Sequence, residues 1–290
     1  MIIIAMKISH IYAAKKKFRT SSSVAKKEPK SKRRRKPAKP VKQQKPRPRE
    51  MPGLSYSQPV ARFIAALPQF SNPSKPRKRR ALELFAGSAS WGKAMSAQGW
   101  DVHAFDIVYN SNHDILLPGE CDRICNEVRQ RKYHAVHIGT ECTTWSQAAK
   151  PAYRDSAHLL GFPSLPDHKK QKVIDANKMA EISAKILEAS HAAGIYCSLE
   201  NPWASMLWLH PHMKRLQGFK RFRVDYCRWG ARWRKSTGIF TNRPYVEKLA
   251  CVCTGKHKHI VLMGSLCKKA NKYPAKLVKA WAELVDKHEG

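Results

Sequence analysis

The sequence predicts an α/β fold, a doubly wound and mostly parallel sheet carried behind a long basic arm. Three observations predict it. Short apolar runs alternate along the chain with helical patterns, the signature of strand–helix–strand units. Three of those runs end in a glycine turn, a cysteine or a carboxylate, and ligands of open α/β sheets gather at the carboxyl ends of the strands. The first 80 residues, by contrast, carry 24 Lys or Arg against two acids, Glu28 and Glu50.

Residues 1–80 are rich in Lys, Arg, Pro and Ser and poor in aromatics, so they bury too little apolar surface to offset the entropy of ordering. They are expected to be a disordered basic arm, and residues 81–290 one domain with a single core. The net charge is +34, of which +22 falls in residues 1–80 and +12 in the remainder. A positive arm on a still-positive domain implies a polyanionic partner, most simply nucleic acid. The alternative is a solvated tail. Lys32 to Lys36 fits a nuclear-localisation patch, which points to the nucleus if the host is eukaryotic. No run approaches the roughly 20 apolar residues of a membrane span, and the apolar start, Met1 to Met6, is too short for a signal-peptide core. Eight cysteines in 290 residues do not form a disulfide framework, so a reducing, intracellular compartment and no membrane are expected.

The elements follow in order. Ala81 to Ala86 reads as a strand, turned by Gly87 and Ser88 into a helix from Trp91 to Gln98 that Gly99 ends. Asp101 to Phe105 alternates as a second strand and closes at Asp106. Glu120 to Lys132 reads as a helix with Ile124 and Val128 on one face, and Tyr133 to Ile138 as the strand that delivers Cys142. Pro151, Pro163 and Pro166 make Lys150 to Lys169 a loop. Val173, Asn177, Ala180, Ala184, Leu187 and His191 then recur at helical spacing, predicting a helix over 170–193. Ile195 to Leu199 is a strand ending in Glu200. Arg221 to Trp229 and Ser236 to Asn242 read as neighbouring strands, and Ala275 to Lys287 as the last helix, with Leu277, Val278, Trp281, Leu284 and Val285 on one face.

Three places carry chemistry. In Leu82-Glu83-Leu84-Phe85-Ala86-Gly87-Ser88 a strand enters a tight turn of small residues before a helix, where a ligand can approach free backbone N–H groups. Asp106, at the next strand end, is placed to bind the two hydroxyls of a ribose; the alternative is a plain strand-turn-helix with a surface Asp. Cys142 is by itself a small hydrophobe like most lone cysteines, but Thr143, Thr144 and Ser146 give it polar company. Glu200-Asn201-Pro202 stands at another strand end. Trp203 and Trp208 beside it are read as packing, with base stacking the alternative.

In that order the motifs resemble the DNA (cytosine-5) methyltransferase family. Leu84-Phe85-Ala86-Gly87 is similar to its cofactor turn, Cys142-Thr143-Thr144-Trp145-Ser146 to its Pro-Cys-Gln-x-Phe-Ser nucleophile motif, and Glu200-Asn201-Pro202 to its Glu-Asn-Val motif. Trp229-Gly230 with Arg234-Lys235 loosely resembles its Tyr-Gly…Gln-x-Arg-x-Arg segment. Asn271-Lys272-Tyr273-Pro274 is similar to its closing Gly-Asn-x-x-Pro motif. The likeness covers residues 81 to 285. It implies a methyltransferase-like domain of the Rossmann-like type over 81–290, S-adenosylmethionine as cofactor, and DNA as substrate. It also implies Cys142 as nucleophile, Glu200 at cytosine N3, and Arg234 or Lys235 holding the pocket or a phosphate. Phe85, Ala86, Gly87 and Ser88 then line the cofactor, Asp106 takes its ribose, Asp114 meets its adenine and Asn271 its methionine end. An RNA cytosine methyltransferase, or an inactive nucleic-acid binder on the same fold, are the alternatives.

The sequence departs from the family at three places. Glu141 stands where the family has Pro and is expected to raise the Cys142 pKa. Lys235 stands where it has Arg, losing bidentate bonding. Only residues 243 to 270 occupy the place where family members insert a target-recognition domain, so sequence specificity is expected to be low, supplied by a partner, or read by the loop 147 to 169. That short insert contains Cys251, Cys253, His257 and His259, with Cys267 nearby. These are zinc ligand types, which Gly255 would have to turn toward one another; a hairpin with incidental Cys and His near phosphates is the alternative.

Overall fold

A computed structural model describes residues 78–290. The expected basic arm, with Lys32 to Lys36, lies outside the described residues except for its last three. Six strands form one sheet: β1 (Arg80–Leu84), β2 (Asp101–Phe105), β3 (Ala135–Ile138), β4 (Tyr196–Pro202), β5 (Lys220–Asp225) and β6 (Ser236–Thr241). Their order is β2-β1-β3-β4-β6-β5. β1 pairs parallel with β2 and β3, and β3 with β4; β6 runs antiparallel to β4 and β5. The fold is therefore α/β with a mostly parallel sheet. Only residues 226–235 join β5 to β6, too few for a parallel crossover, which is why this pair turns back on itself.

The helices are α1 (Ser90–Ala97), α2 (Glu120–Arg129), α3 (Asp167–Ala192), α4 (Pro211–Lys214), α5 (Ser265–Ala270) and α6 (Ala275–Glu289). α2 packs on α3 and α1 on α6. Because side chains alternate along a strand, each central strand feeds two cores. Leu82, Leu84, Val136, Ile138, Cys197 and Leu199 join the core of α2 and α3. Ala81, Ala135 and Tyr196 join the core of α1 and α6 with Trp91, Met95 and Trp281. Among the described residues no helix is long and apolar enough to cross a membrane.

Most boundaries differ from the sequence reading by one to three residues, and two of the differences have a plain physical reason. α3 starts at Asp167 rather than Lys170, because Pro166 is its N-cap and needs no helical N–H there. The expected strand from Arg221 to Trp229 stops at Asp225, whose fully buried carboxylate takes bonds from its own surroundings, and Tyr226–Trp229 form a 3-10 turn ended by Gly230 at φ 90°.

The second face also carries polar side chains. Glu83, His137 and Ser198 are adjacent across β1, β3 and β4, and all three are buried. The Glu83 carboxylate accepts from the Gly92 N–H of α1 at 2.8 Å. His137 Nδ1 meets Ser198 Oγ at 3.0 Å and Nε2 meets the Tyr273 hydroxyl at 3.0 Å. Burial pushes the His137 pKa down to about 3, leaving a neutral ring. This row crosses the strands one residue before β1 and β3 end, close to where the sequence placed its site.

Candidate active site

The chain winds outward in opposite directions from β1 and β3, and their carboxyl ends form the switch point where α/β sheets bind ligands. On the β1 side the turn is tight: Phe85, Gly87 and Ala89 have φ of 54°, 52° and 49°. Left-handed backbone at non-glycine residues costs on the order of 1 kcal/mol each, so other bonds must fix it. Ala89 N–H donates to Ala86 O at 2.7 Å, and the Tyr109 hydroxyl donates to Gly87 O at 2.7 Å. Gly87 N–H donates to Asp106 Oδ2 and Val108 N–H to Asp106 Oδ1, both at 2.9 Å. On the β3 side a Cβ on Gly139 would sit 3.3 Å from Phe85 O, so glycine lets the two chains pass.

These residues fit a nucleoside cofactor. A carboxylate has about four lone-pair sites, and the backbone occupies one on each Asp106 oxygen. Gly87 is exposed, while Phe85, Ser88 and Asp106 are half-buried around it. Asp114 is half-buried and accepts from Leu116 N–H at 3.1 Å. Asn271 caps α5 and is exposed.

Cys142 follows β3 and opens a turn, its carbonyl accepting from Trp145 and Ser146 N–H at 3.1 and 2.8 Å. Asn201 Nδ2 donates to Thr140 O at 2.8 Å, tying the end of β4 to the exit of β3; Asn201 Oδ1, also buried, has no partner among the described residues. Antiparallel pairing of β6 with β4 brings Lys235 to the same place. Lys235 Nζ lies 3.6 Å from Glu200 Oε1. The Tyr226 hydroxyl donates to Glu200 Oε1 at 3.5 Å and the Tyr273 hydroxyl to Oε2 at 3.3 Å.

Electrostatics couples these groups. Burial pushes the Cys142 thiol up to about 11; Glu200 and, less strongly, Glu141 add to the rise, and Lys235 opposes it. The expected effect of Glu141 is thus present but smaller than burial. Glu141 itself, raised by burial, accepts from the Thr143 hydroxyl at 2.7 Å. Burial alone would lower the Lys235 pKa, but Glu200, Tyr226 and Cys142 together raise it above the usual lysine range.

Arg154 holds the segment after Cys142. Its guanidinium is buried, lies 3.4 Å from the Trp145 ring centroid, and donates to Thr144 O, Thr144 Oγ1, Leu159 O and Asn177 Oδ1 at 2.7–3.0 Å. With no carboxylate partner among these contacts, burial lowers its pKa to about 10. Beyond β4, Trp203 and Trp208 are half-buried with the Arg221 guanidinium 4.1 and 5.0 Å from their centroids. Together with Gln147, Met206 and Phe240 they line a cavity of about 460 Å³.

Of the residues read from sequence, Cys142, Glu200 and Lys235 meet here, beside the turn of Phe85, Ala86, Gly87 and Ser88. Arg234 does not: it faces Asp225, its Nε 3.5 Å from Oδ2, because neighbouring residues of an extended chain point to opposite sides. Cys251 also departs from its expected group. Its Sγ accepts from Arg228 Nε at 3.2 Å, while Cys253, His257 and His259 gather around Cys227. Tyr226, Tyr273, His137, Glu83, Cys227 and Arg154 were not singled out by the sequence. Tyr273 lay inside the Asn-Lys-Tyr-Pro motif and Glu83 inside the run from Leu82 to Ser88, neither with a role of its own; the others acquire meaning only from contacts between segments distant in the chain.

The fold and site define a doubly wound α/β protein with a thiol, a carboxylate and an ammonium at neighbouring strand ends. No family model and no curated protein matches the sequence. Among solved structures, the crystal structure of the S. pombe Dnmt2 methyltransferase is similar at 12% identity, with a TM-score of 0.34, over 62% of this chain and 57% of that one. A likeness that loose leaves the chemistry to be read from the side chains.

Proposed function

We propose that the protein is a methyltransferase that modifies carbon 5 of cytosine in nucleic acid, with DNA the first substrate to test, through a covalent adduct at Cys142. The observation that carries this reading is the convergence of Cys142, Glu200 and Lys235, with Lys235 3.6 Å from Glu200 and electrostatically coupled to the thiol. Carbon 5 of cytosine is a poor nucleophile. A thiolate adding to carbon 6 turns the ring into an enamine and makes carbon 5 reactive, which is nucleophilic covalent catalysis. Glu200, held by Tyr226, Tyr273 and Lys235, faces ring N3 and stabilises the charge that develops there. Lys235 favours the thiolate. Phe85, Ala86, Gly87, Ser88, Asp106, Asp114 and Asn271 are the residues offered to S-adenosylmethionine, which when bound supplies the methyl group. A base then removes the carbon-5 proton and the thiol departs. In a duplex the target base must leave the stack, and the basic composition supports binding to the backbone.

A thiol pKa near 11 favours a second reading, an inactive nucleic-acid binder on the same fold. At pH 8 such a group is about one part in 10³ thiolate, a deficit of about 4 kcal/mol that substrate binding must offset. Trapping separates the two. The protein is mixed with S-adenosylmethionine and oligonucleotides carrying 5-fluorocytosine, as DNA and separately as RNA; fluorine blocks the final elimination. A denaturant-resistant adduct that Cys142→Ala abolishes is the expected result. Nucleic-acid binding without any adduct on either strand overturns the enzyme and leaves the binder.

A further inference from the structure

Residues 252–264 form neither strand nor helix, yet Cys253 within them is buried. So long an irregular stretch in a compact domain needs something to hold it. Its own backbone offers little. Cys251 pairs with Val224 in an isolated bridge, Cys253 N–H donates to the buried Asp225 carboxylate at 2.8 Å, and Ile260 N–H donates to Arg232 O at 2.9 Å. Beyond these points, four side chains converge: Cys227, from the 3-10 turn after β5, with Cys253, His257 and His259.

We propose that Cys227, Cys253, His257 and His259 bind one Zn²⁺ tetrahedrally, and that Cys251 takes no part. The geometry argues for this from distances alone. Bonds of about 2.3 Å to sulfur and about 2.0 Å to nitrogen, at tetrahedral angles, require S···N separations of about 3.5 Å. Cys253 Sγ lies 3.4 Å from His259 Nε2 and 3.8 Å from His257 Nε2. All four ligand atoms fall within 4.8 Å of one another. Two sulfurs and two imidazole nitrogens in that arrangement select zinc among the common divalent ions. Further bonds orient the ligands as they do around known metal sites. Gly255 N–H, in a turn that needs its φ of 75°, donates to Cys253 Sγ at 3.3 Å. Asp225 holds the Cys253 backbone and is itself paired with Arg223 and Arg234. Binding displaces one proton from each thiol, so two thiolates neutralise the ion.

Cys251 is the close competitor, because Cys251-x-Cys253 is the pair a sequence reading selects. Residues two apart share a face only while the strand continues. The bridge ends at Cys251, whose sulfur turns to Arg228, and the chain leaves the strand before Cys253. Cys227 takes the fourth corner from a segment 26 residues earlier in the chain.

The experiment compares metal content and cobalt spectra of the full chain and of Cys227→Ser and Cys251→Ser, all purified without chelator and dialysed against buffer. The native protein and Cys251→Ser should each retain about one zinc per chain by elemental analysis, and Cys227→Ser should lose it while keeping its far-UV circular dichroism. Cobalt in place of zinc should give the visible absorption of a tetrahedral ion and a thiolate charge-transfer band that Cys251→Ser leaves unchanged. If Cys227→Ser does not fold, His259→Gln and the charge-transfer intensity of the native cobalt protein, which counts thiolates, decide instead. Two thiolates and metal loss in His259→Gln support the site. Native protein that holds far less than one zinc per chain after refolding with zinc overturns it. So does metal lost from Cys251→Ser but kept by Cys227→Ser, or a native cobalt band reporting three thiolates.

Discussion

Replacing Glu83 by Gln should change how the stability of this protein depends on pH. Glu83 is 2% exposed, in the second-face row, and burial raises its pKa from 4.5 to about 7, against the pull of the Gly92 and Trp91 N–H groups and of Lys93. The native state therefore holds this proton more tightly than the unfolded chain. The stability it contributes is fully present below about pH 4.5 and is lost as pH rises toward and through 7. A shift of about 2.5 pH units corresponds to about 3 kcal/mol. Gln keeps an oxygen for the Gly92 N–H and has no proton to lose. The assay is urea unfolding of both proteins at half-unit steps from pH 4.5 to 8.5. Taking wild type minus variant removes groups that titrate alike in both, including His137, whose depressed pKa keeps it neutral in the native state across this range. Wild type should lose about 3 kcal/mol relative to Glu83→Gln between the two ends. A difference that stays flat within about 0.5 kcal/mol, or that grows in favour of wild type with rising pH, refutes a neutral, desolvated Glu83.

Lys235→Met should slow alkylation of Cys142 at pH 9 several-fold, read by mass spectrometry of the Cys142 peptide, because the ammonium that lowers the thiol pKa is gone; equal or faster alkylation would place Lys235 away from the sulfur. Tyr273→Phe removes the hydroxyl shared by His137 and Glu200 and should cost about 1–3 kcal/mol in urea unfolding while slowing adduct formation more than it weakens nucleic-acid binding. Arg154→Met strips four donated bonds from the segment after Cys142 and should cost about 3 kcal/mol, with faster proteolysis of residues 147–165; unchanged cleavage would deny it that anchoring role. Trp281→Ala opens the core under α6, where its N–H donates to the Tyr196 hydroxyl at 2.7 Å, and should cost about 3–5 kcal/mol by the same unfolding measurement.

What was legible in the sequence is what local periodicity and local chemistry encode. The strand over Asp101 to Phe105 has the bounds its alternation gives, and α6 the face its spacing gives, because neighbours along the chain fix both. Cys142 and Glu200 were legible because each follows or ends an apolar run, and strand ends gather at one edge of a parallel sheet. Partners across the sheet were not. Nothing near Glu83 in the chain tells of His137 or Ser198; only the register of three parallel strands sets them in a row. Arg234 and Lys235 are adjacent in sequence and similar in charge, and a motif match treats them alike. The onset of β6 at Ser236 separates them, sending one to Asp225 and the other to Glu200.

The same reversal links the two candidate sites. Asp225, Tyr226 and Cys227 are consecutive, yet one braces the backbone of Cys253, the next donates to Glu200, and the third stands among the proposed zinc ligands. The strand ends at Asp225 and a 3-10 turn begins at Tyr226, where three residues per turn send Tyr226 and Cys227 outward about a third of a turn apart. A zinc ion pinning Cys227 would thereby also limit how far Tyr226 moves from Glu200. Removing zinc from the intact protein should then slow trapping at Cys142 without changing affinity for nucleic acid, whereas Cys251→Ser should do neither. Loss of affinity alongside trapping would mean that zinc holds the whole domain together rather than this one turn.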